Sequence, residues 1–162
     1  MIKGEGIETI PGVTSKDVFD FVLDPAQYTK ADTKIIDVRK ICDIDGGMIA
    51  REDGKFMGLF PGSVITKYQW DEPHRIDVTL VHGVPKRIHA WFEIDDVEGG
   101  TRLRHVEEVD MGRGPLGSLH DLLIGRWWQA SVRKEVSEIS RLMQEGERGR
   151  GLDAIAGDPG LG

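Results

Sequence analysis

His105 and Glu107 stand two residues apart in TRLRHVEEVDM (101–111), where Leu103, Val109 and Met111 share their parity. If the segment is a strand, both polar groups point with those apolar residues to one buried face. An imidazole and a carboxyl held together there form an acid/base pair, because burial raises the carboxyl pKa and the carboxylate raises that of the imidazole. Tyr68, in SVITKYQW (63–70), and His82, in HRIDVTLVHG (74–83), share the inward parity of their own strands. Together such groups can polarise a ligand carbonyl and move a proton, as an aldol-type cyclisation or a dehydration requires. They can equally be satisfied polar groups, bonded to one another, to backbone or to trapped water. The residue types alone leave both readings open.

Positioning these groups takes a sheet. IKGEGIETI (2–10) reads as a strand closed by Pro11 and Gly12. TSKDVFDFVLDP follows as a helix capped by Thr14 or Ser15, with Val18, Phe19, Val22 and Leu23 as its apolar stripe. A second short helix opens at Pro25. From residue 34 the period changes to two. KIIDVRKICDI puts Ile36, Val38, Cys42 and Ile44 on one side, and Asp45-Gly46-Gly47 turns the chain into MIARED. Val64, Thr66, Tyr68 and Trp70 share a face, as do Ile76, Val78, Leu80 and His82, and Ile88, Ala90, Phe92 and Ile94. Six strands joined by short turns imply an antiparallel meander with one buried face, which a long helix must cover. That helix starts near Pro115 or Ser118, the latter with Asp121 as a capping box, and runs to about Gln144. The expected organisation is one domain over 1–145 and a flexible, glycine-rich tail over 146–162.

The formal net charge of −7 repels phosphate backbones, so nucleic acid and anionic membrane are poor partners. Cys42 is the only cysteine, and His74, His89 and His120 lack ligand spacing, so neither a disulfide nor a metal site is expected. No segment reads as a signal peptide or a membrane span. A cytoplasmic protein without stable membrane insertion is the expectation. Arg102, Arg104 and Glu108 are expected on the outer sheet face, Asp95-Asp96 at a solvated turn, and GERGRG in the tail rather than on RNA. Trp91, opposite in parity to Phe92, marks either a homodimer contact on that face or a ring lying under a neighbouring side chain.

The order strand, two short helices, six strands and a long last helix resembles the helix-grip fold of the SRPBCC, or START-related, superfamily. The matching segments are IPGVTSKDVFDFVLDPAQY, WFEIDDVEGGTRLRHVEEV and GPLGSLHDLLIGRWWQASVRKEVSEISRLMQ, most similar to the polyketide cyclase/dehydrase and lipid-transport group. The resemblance implies an α+β fold, a curved antiparallel sheet wrapped around its C-terminal helix. It also implies an internal hydrophobic cavity for lipids, quinones or polyketide-like aromatics, with no cofactor and no metal.

Projected at about 100° per residue, the last helix carries Gly125, Trp128, Val132, Val136, Ile139 and Met143 on one stripe. Leu116, Leu123 and Trp127 fall on a neighbouring face that is apolar only in the first half, where the helix-grip plan places its cavity. Gly125 suggests a close approach to the helix backbone, by a ligand or by a bulky strand side chain. Trp128 is expected beside the pocket, and Trp127 at the cavity mouth or against the short helices. The expected ligand-binding set is His82, Phe92, Leu103, Leu123, Gly125, Trp127 and Trp128. The expected function is binding of a small hydrophobic ligand. The alternative is an aromatase/cyclase or dehydratase with His105 and Glu107 as proton-transfer groups and Tyr68 as donor to a carbonyl. A third class, less favoured, is an interaction protein that uses Trp91 and the outer sheet face.

Overall fold

The computed structural model describes residues 1–56, 60–112 and 117–156; at 56, 60, 117–123 and 147–156 it describes the backbone course alone. The element order is β1 (Ile2–Pro11), α1 (Ser15–Leu23), α2 (Pro25–Ala31), β2 (Ile35–Ile44), β3 (Gly47–Phe56), β4 (Phe60–Asp71), β5 (Arg75–His82), β6 (Arg87–Val97), β7 (Gly100–Asp110) and α3 (Gly117–Ala156). The strands form one antiparallel sheet in the order β1-β7-β6-β5-β4-β3-β2. This is the helix-grip arrangement, a meander from β2 to β7 with β1 added beside β7.

Local chemistry sets the first elements. Thr14 caps α1 in a capping box with Asp17, leaving Val18, Phe19 and Val22 buried. Asp24 both ends α1 and caps α2, whose first residue is Pro25. Gly46, at φ 62°, makes the turn between β2 and β3.

Two features differ from the sequence expectation. In β2 only Val38 is buried, while Ile36, Ile41 and Cys42 are exposed. Irregular register between Ile35 and Asp37, and again between Lys40 and Cys42, breaks the two-residue period of this edge strand. At the other end α3 continues to Ala156, so the backbone of 146–156, assigned to the tail, is helical. Residues 157–162, the proposed helix start at Pro115, and Leu116 of the neighbouring face lie outside the described residues.

Two apolar clusters hold α3 to the sheet. Val136, Ile139 and Met143 pack with Phe92, Ile94 and Leu103, whereas Ile124, Trp128 and Val132 pack with Ile2 and Val109. The close backbone approach expected at Gly125 occurs instead on β1. A Cβ added at Gly4 would stand 2.6 Å from Val132 Cγ2, and one at Gly6 would stand 3.0 Å from the Val132 carbonyl oxygen. At Gly125 it would meet nothing within 4 Å among the described residues. The missing side chains that let helix and sheet touch are therefore on the strand.

Candidate functional site: a buried ionic network beside an apolar cavity

Along the inward face of β7, Leu103 belongs to one apolar cluster and Val109 to the other, with His105 and Glu107 between them. On α3, Glu135 occupies the same boundary, between Val132 and Val136. All three polar residues are buried. His105 Nε2 lies 3.1 Å from Glu107 Oε1 and 3.3 Å from Glu135 Oε1. Its Nδ1 is 3.0 Å from the Trp91 carbonyl, an atom that only accepts, so Nδ1 carries a proton. The ring lies flat on Phe92, with centroids 3.8 Å apart.

The segment between α2 and β2 supplies the rest. Asp32 ends α2 and accepts from the Lys34 backbone N–H at 2.7 Å. The Lys34 carbonyl in turn accepts from Lys55 N–H on β3 at 2.8 Å. So held, the Lys34 ammonium reaches Glu135 Oε2 at 2.7 Å, Asp32 Oδ1 at 3.1 Å and Glu107 Oε1 at 3.3 Å. The Tyr28 hydroxyl donates to Glu135 Oε1 at 2.7 Å. Across the chamber, Glu52 Oε1 accepts from Tyr68 at 2.7 Å and from Thr66 at 2.5 Å.

Burial and mutual charge act against each other in this network. Burial, and then Glu135, push the Asp32 carboxyl up to about 7 despite Lys34. Burial would also raise Glu107, but Lys34 and His105 overcome it and bring that carboxyl down to about 2. Burial pulls Lys34 down, yet Asp32, Glu107 and Glu135 hold its ammonium well above the usual lysine range. For His105 the same contest, burial against Glu135 and Glu107, ends with a raised value. Glu52 is raised by burial, partly offset by its two hydroxyl donors.

Two chambers flank the network. The inner one, about 110 Å³, is walled by Tyr28, Asp32, Glu52, Tyr68, Phe92, His105 and Glu107. The outer one, about 280 Å³, is walled mainly by apolar groups, among them Val64, Val84, Val109, Met111, Trp127 and Trp128. Lys34, Ile35, Glu52, Ile88 and Trp128 belong to both walls, so the two chambers adjoin. Glu107 Oε2 is buried there without a hydrogen-bond partner among the described residues.

Of the residues expected here, His105, Glu107, Tyr68, Phe92, Trp127 and Trp128 are brought together. Tyr68, however, is bonded to Glu52 and not to the His105–Glu107 pair. His82 is exposed. It pairs with Ile65 while Leu80 pairs with Thr66, so the extra residue Val81 turns His82 to the outer face. Leu103 is fully buried in the core and walls neither chamber. Gly125 lies instead on a shallow surface depression with Met1 and Arg126. The side chain of Leu123 lies outside the described residues. Trp127 and Trp128 meet edge to face at 5.7 Å, with Trp127 in the wall of the outer chamber.

Sequence reasoning missed Tyr28, Asp32, Lys34, Glu52 and Glu135. Two signals were present. Glu135 follows Trp128 by seven residues and so projects within about 20° of it. Glu52 shares parity with Met48 and Ala50, both buried. Asp32 lies before the period-two segment and Lys34 is its first residue, and only the tertiary fold brings their side chains inward.

His105, Glu107 and Glu135 have their donor atoms within 4.8 Å of one another, a spacing that can hold a metal ion. The Lys34 ammonium already bridges two of these carboxylates, so the positive charge they require is supplied by the chain itself. On the outer sheet face Arg104 bridges Glu5 and Glu93, Arg102 pairs with Asp95, and Lys3 and Arg75 stand 6.0 and 5.9 Å over the Trp91 ring. No helix among the described residues is long and apolar enough to cross a membrane.

No family model and no curated protein matches the sequence. Solved structures do match. A protein from Thermus thermophilus superposes with a TM-score of 0.75 at 14% identity, covering 86% of this chain and 94% of that one. A START superfamily protein from Mycobacterium smegmatis gives 0.68 at 17% identity, covering 87% and 97%. The Zhui aromatase/cyclase from Streptomyces sp. R1128 gives 0.67 at 12% identity, covering 90% and 93%. Likeness at these identities is likeness of fold, and it places the chain in the START-type helix-grip architecture.

Proposed function

We propose that the protein binds a small hydrophobic ligand between its sheet and α3, with the ligand body in the outer chamber and one polar end at the ionic network. The observation that carries this reading is the pairing of a 280 Å³ apolar chamber with a buried polar one through shared walls. Core packing alone does not leave such a space, since protein interiors close to crystal-like density. START proteins and aromatase/cyclases with the same fold support the reading by analogy. Native mass spectrometry and organic extraction of the purified protein, followed by tryptophan-emission titration with lipids, quinones and polyaromatics, test it. Binding that quenches Trp127 and Trp128 is expected, and failure of every ligand class rejects the proposal.

One observation favours a second reading, an aromatase/cyclase or dehydratase. Glu107 walls the chamber beside His105, its Oε2 has no partner among the described residues, and Lys34 and His105 keep the carboxyl ionised, so it is available as a proton acceptor. In that reading Glu107 accepts the proton and His105 holds the charge, while Tyr68 must break its bond to Glu52 before it can donate to a carbonyl. Turnover of a polyketide-like substrate that is unaffected in His105→Ala and Glu107→Ala variants rules these roles out.

A further inference from the structure

Among the ionisable and hydroxyl groups of the inner chamber, donors and acceptors do not balance, and the imbalance has a sign. Lys34 spends its ammonium on Glu135, Asp32 and Glu107. His105 spends Nδ1 on the Trp91 carbonyl and Nε2 on Glu107 and Glu135. The Tyr28 hydroxyl goes to Glu135, and those of Tyr68 and Thr66 go to Glu52. The ionisable and hydroxyl donors of the chamber are thus engaged, while one acceptor, Glu107 Oε2, is buried without a partner among the described residues.

Charge gives the same direction independently. Among the described residues, Asp32, Glu52, Glu107 and Glu135 face only two cationic side chains, Lys34 and His105. Even with both of those charged and one carboxyl protonated, the chamber carries a net negative charge. Another anion would meet repulsion in a poorly hydrated space, where it is screened least.

We infer that the site selects ligands whose polar end is an O–H or N–H donor, that is an apolar phenol, alcohol or amine, and rejects the carboxylate of the same body. This rests on the binding reading above and adds to it the chemistry of the recognised end. The donor completes Glu107 Oε2, and the apolar body lies against Trp127, Trp128 and Ile88 in the outer chamber. Hydrogen bonds to a buried carboxylate are among the stronger ones, which makes the discrimination measurable.

Probes sharing one body test this: naphthalene, 2-naphthol, 2-naphthylmethylamine and 2-naphthoate, titrated at pH 7.5 against the unaltered chain by tryptophan emission and calorimetry. The naphthol and the amine are expected to bind at least about tenfold tighter than the naphthoate. Glu107→Gln, which offers an amide N–H at the same place, is expected to abolish most of the amine's advantage over the naphthoate. Naphthoate binding as tightly as the donors in the unaltered chain overturns the inference and leaves the binding reading intact. Failure of all four probes, naphthalene included, removes the binding reading itself and the inference with it. The ranking in the unaltered chain is decisive whether or not the Glu107→Gln chain folds.

Discussion

Lys34 and Glu135 are joined across 101 residues of sequence by a 2.7 Å bond between an ammonium and a carboxylate, with side-chain exposures of 10% and 0%. The bond ties the segment after α2 to the middle of α3, and Asp32 and Glu107 share the same ammonium. Removing one partner of a buried ion cluster costs more than the cluster contributes, because the remaining charges stay desolvated and uncompensated.

Lys34→Met is therefore expected to lower stability by about 3–5 kcal/mol at pH 8. The deficit should shrink at pH 5.5, where the orphaned carboxyls can take up protons. Urea unfolding at the two pH values measures it. A loss that is equal at both would show that Lys34 acts through packing and not through charge.

The pH profile of stability follows from the same groups. Asp32 has an ordinary value of 3.8 and a folded value of about 7, so between those limits the folded chain holds a proton that the unfolded chain has released. Its contribution is complete below about pH 4 and is lost as pH rises through 7, a change of at most about 4 kcal/mol. His105, also raised, loses its contribution in the same direction. Glu107 acts oppositely: lowered from 4.5 to about 2, it stabilises above pH 4.5 and ceases to as pH falls toward 2. Stability is expected to be greatest in acidic solution, near about pH 4 to 4.5, and to decline from there toward pH 8. Asp32→Asn should flatten the decline toward pH 8, since the amide oxygen can still accept from Lys34 N–H. Urea midpoints from pH 4 to 9 check both; a maximum at pH 8 would contradict the assignment.

Glycines on strand and helix should respond in opposite directions. Gly6→Ala forces a methyl to within 3.0 Å of the Val132 carbonyl oxygen and 2.9 Å of Val136 Cγ2. Pushing α3 off β1 costs about 1–3 kcal/mol. Gly125→Ala meets no described atom within 4 Å and should stabilise α3 by about 0.5–1 kcal/mol through helix propensity. Thermal unfolding of the two variants distinguishes this from a ligand or side chain lodged against Gly125, which would make both changes harmful.

The extent to which this was legible in the sequence follows from how each signal arises. Period-two alternation identified β4 to β7, and with them the inward His105, Glu107, Tyr68 and Phe92, because those strands pair regularly over the residues in question. It failed at His82, where the extra Val81 reverses the parity, and along β2, where register breaks twice. A bulge is a property of two strands together, and one strand's sequence does not announce it. The network escaped for a related reason. Nothing local singles out Asp32 and Lys34, whose burial depends on partners drawn from β7 and α3. Gly125 invited the opposite error, a close approach inferred from composition where the contact was made by Gly4 and Gly6 on another element.

Ile88 gives the most direct test of where a ligand lies. It is half-buried on β6, packs with the Val109 and Trp128 cluster, and walls both chambers, so a larger side chain there intrudes on the space where they adjoin. Ile88→Phe adds apolar volume to a space that the protein leaves open, so the usual penalty for overpacking a filled core is largely absent. Thermal stability is expected to stay within about 1 kcal/mol of the unaltered chain or to rise. Affinity for naphthalene or any ligand that quenches Trp127 and Trp128 is expected to fall by at least about tenfold. Undiminished affinity in a folded Ile88→Phe chain would place the ligand outside this cavity, and stability lowered by several kcal/mol would show that the space is not free to be filled.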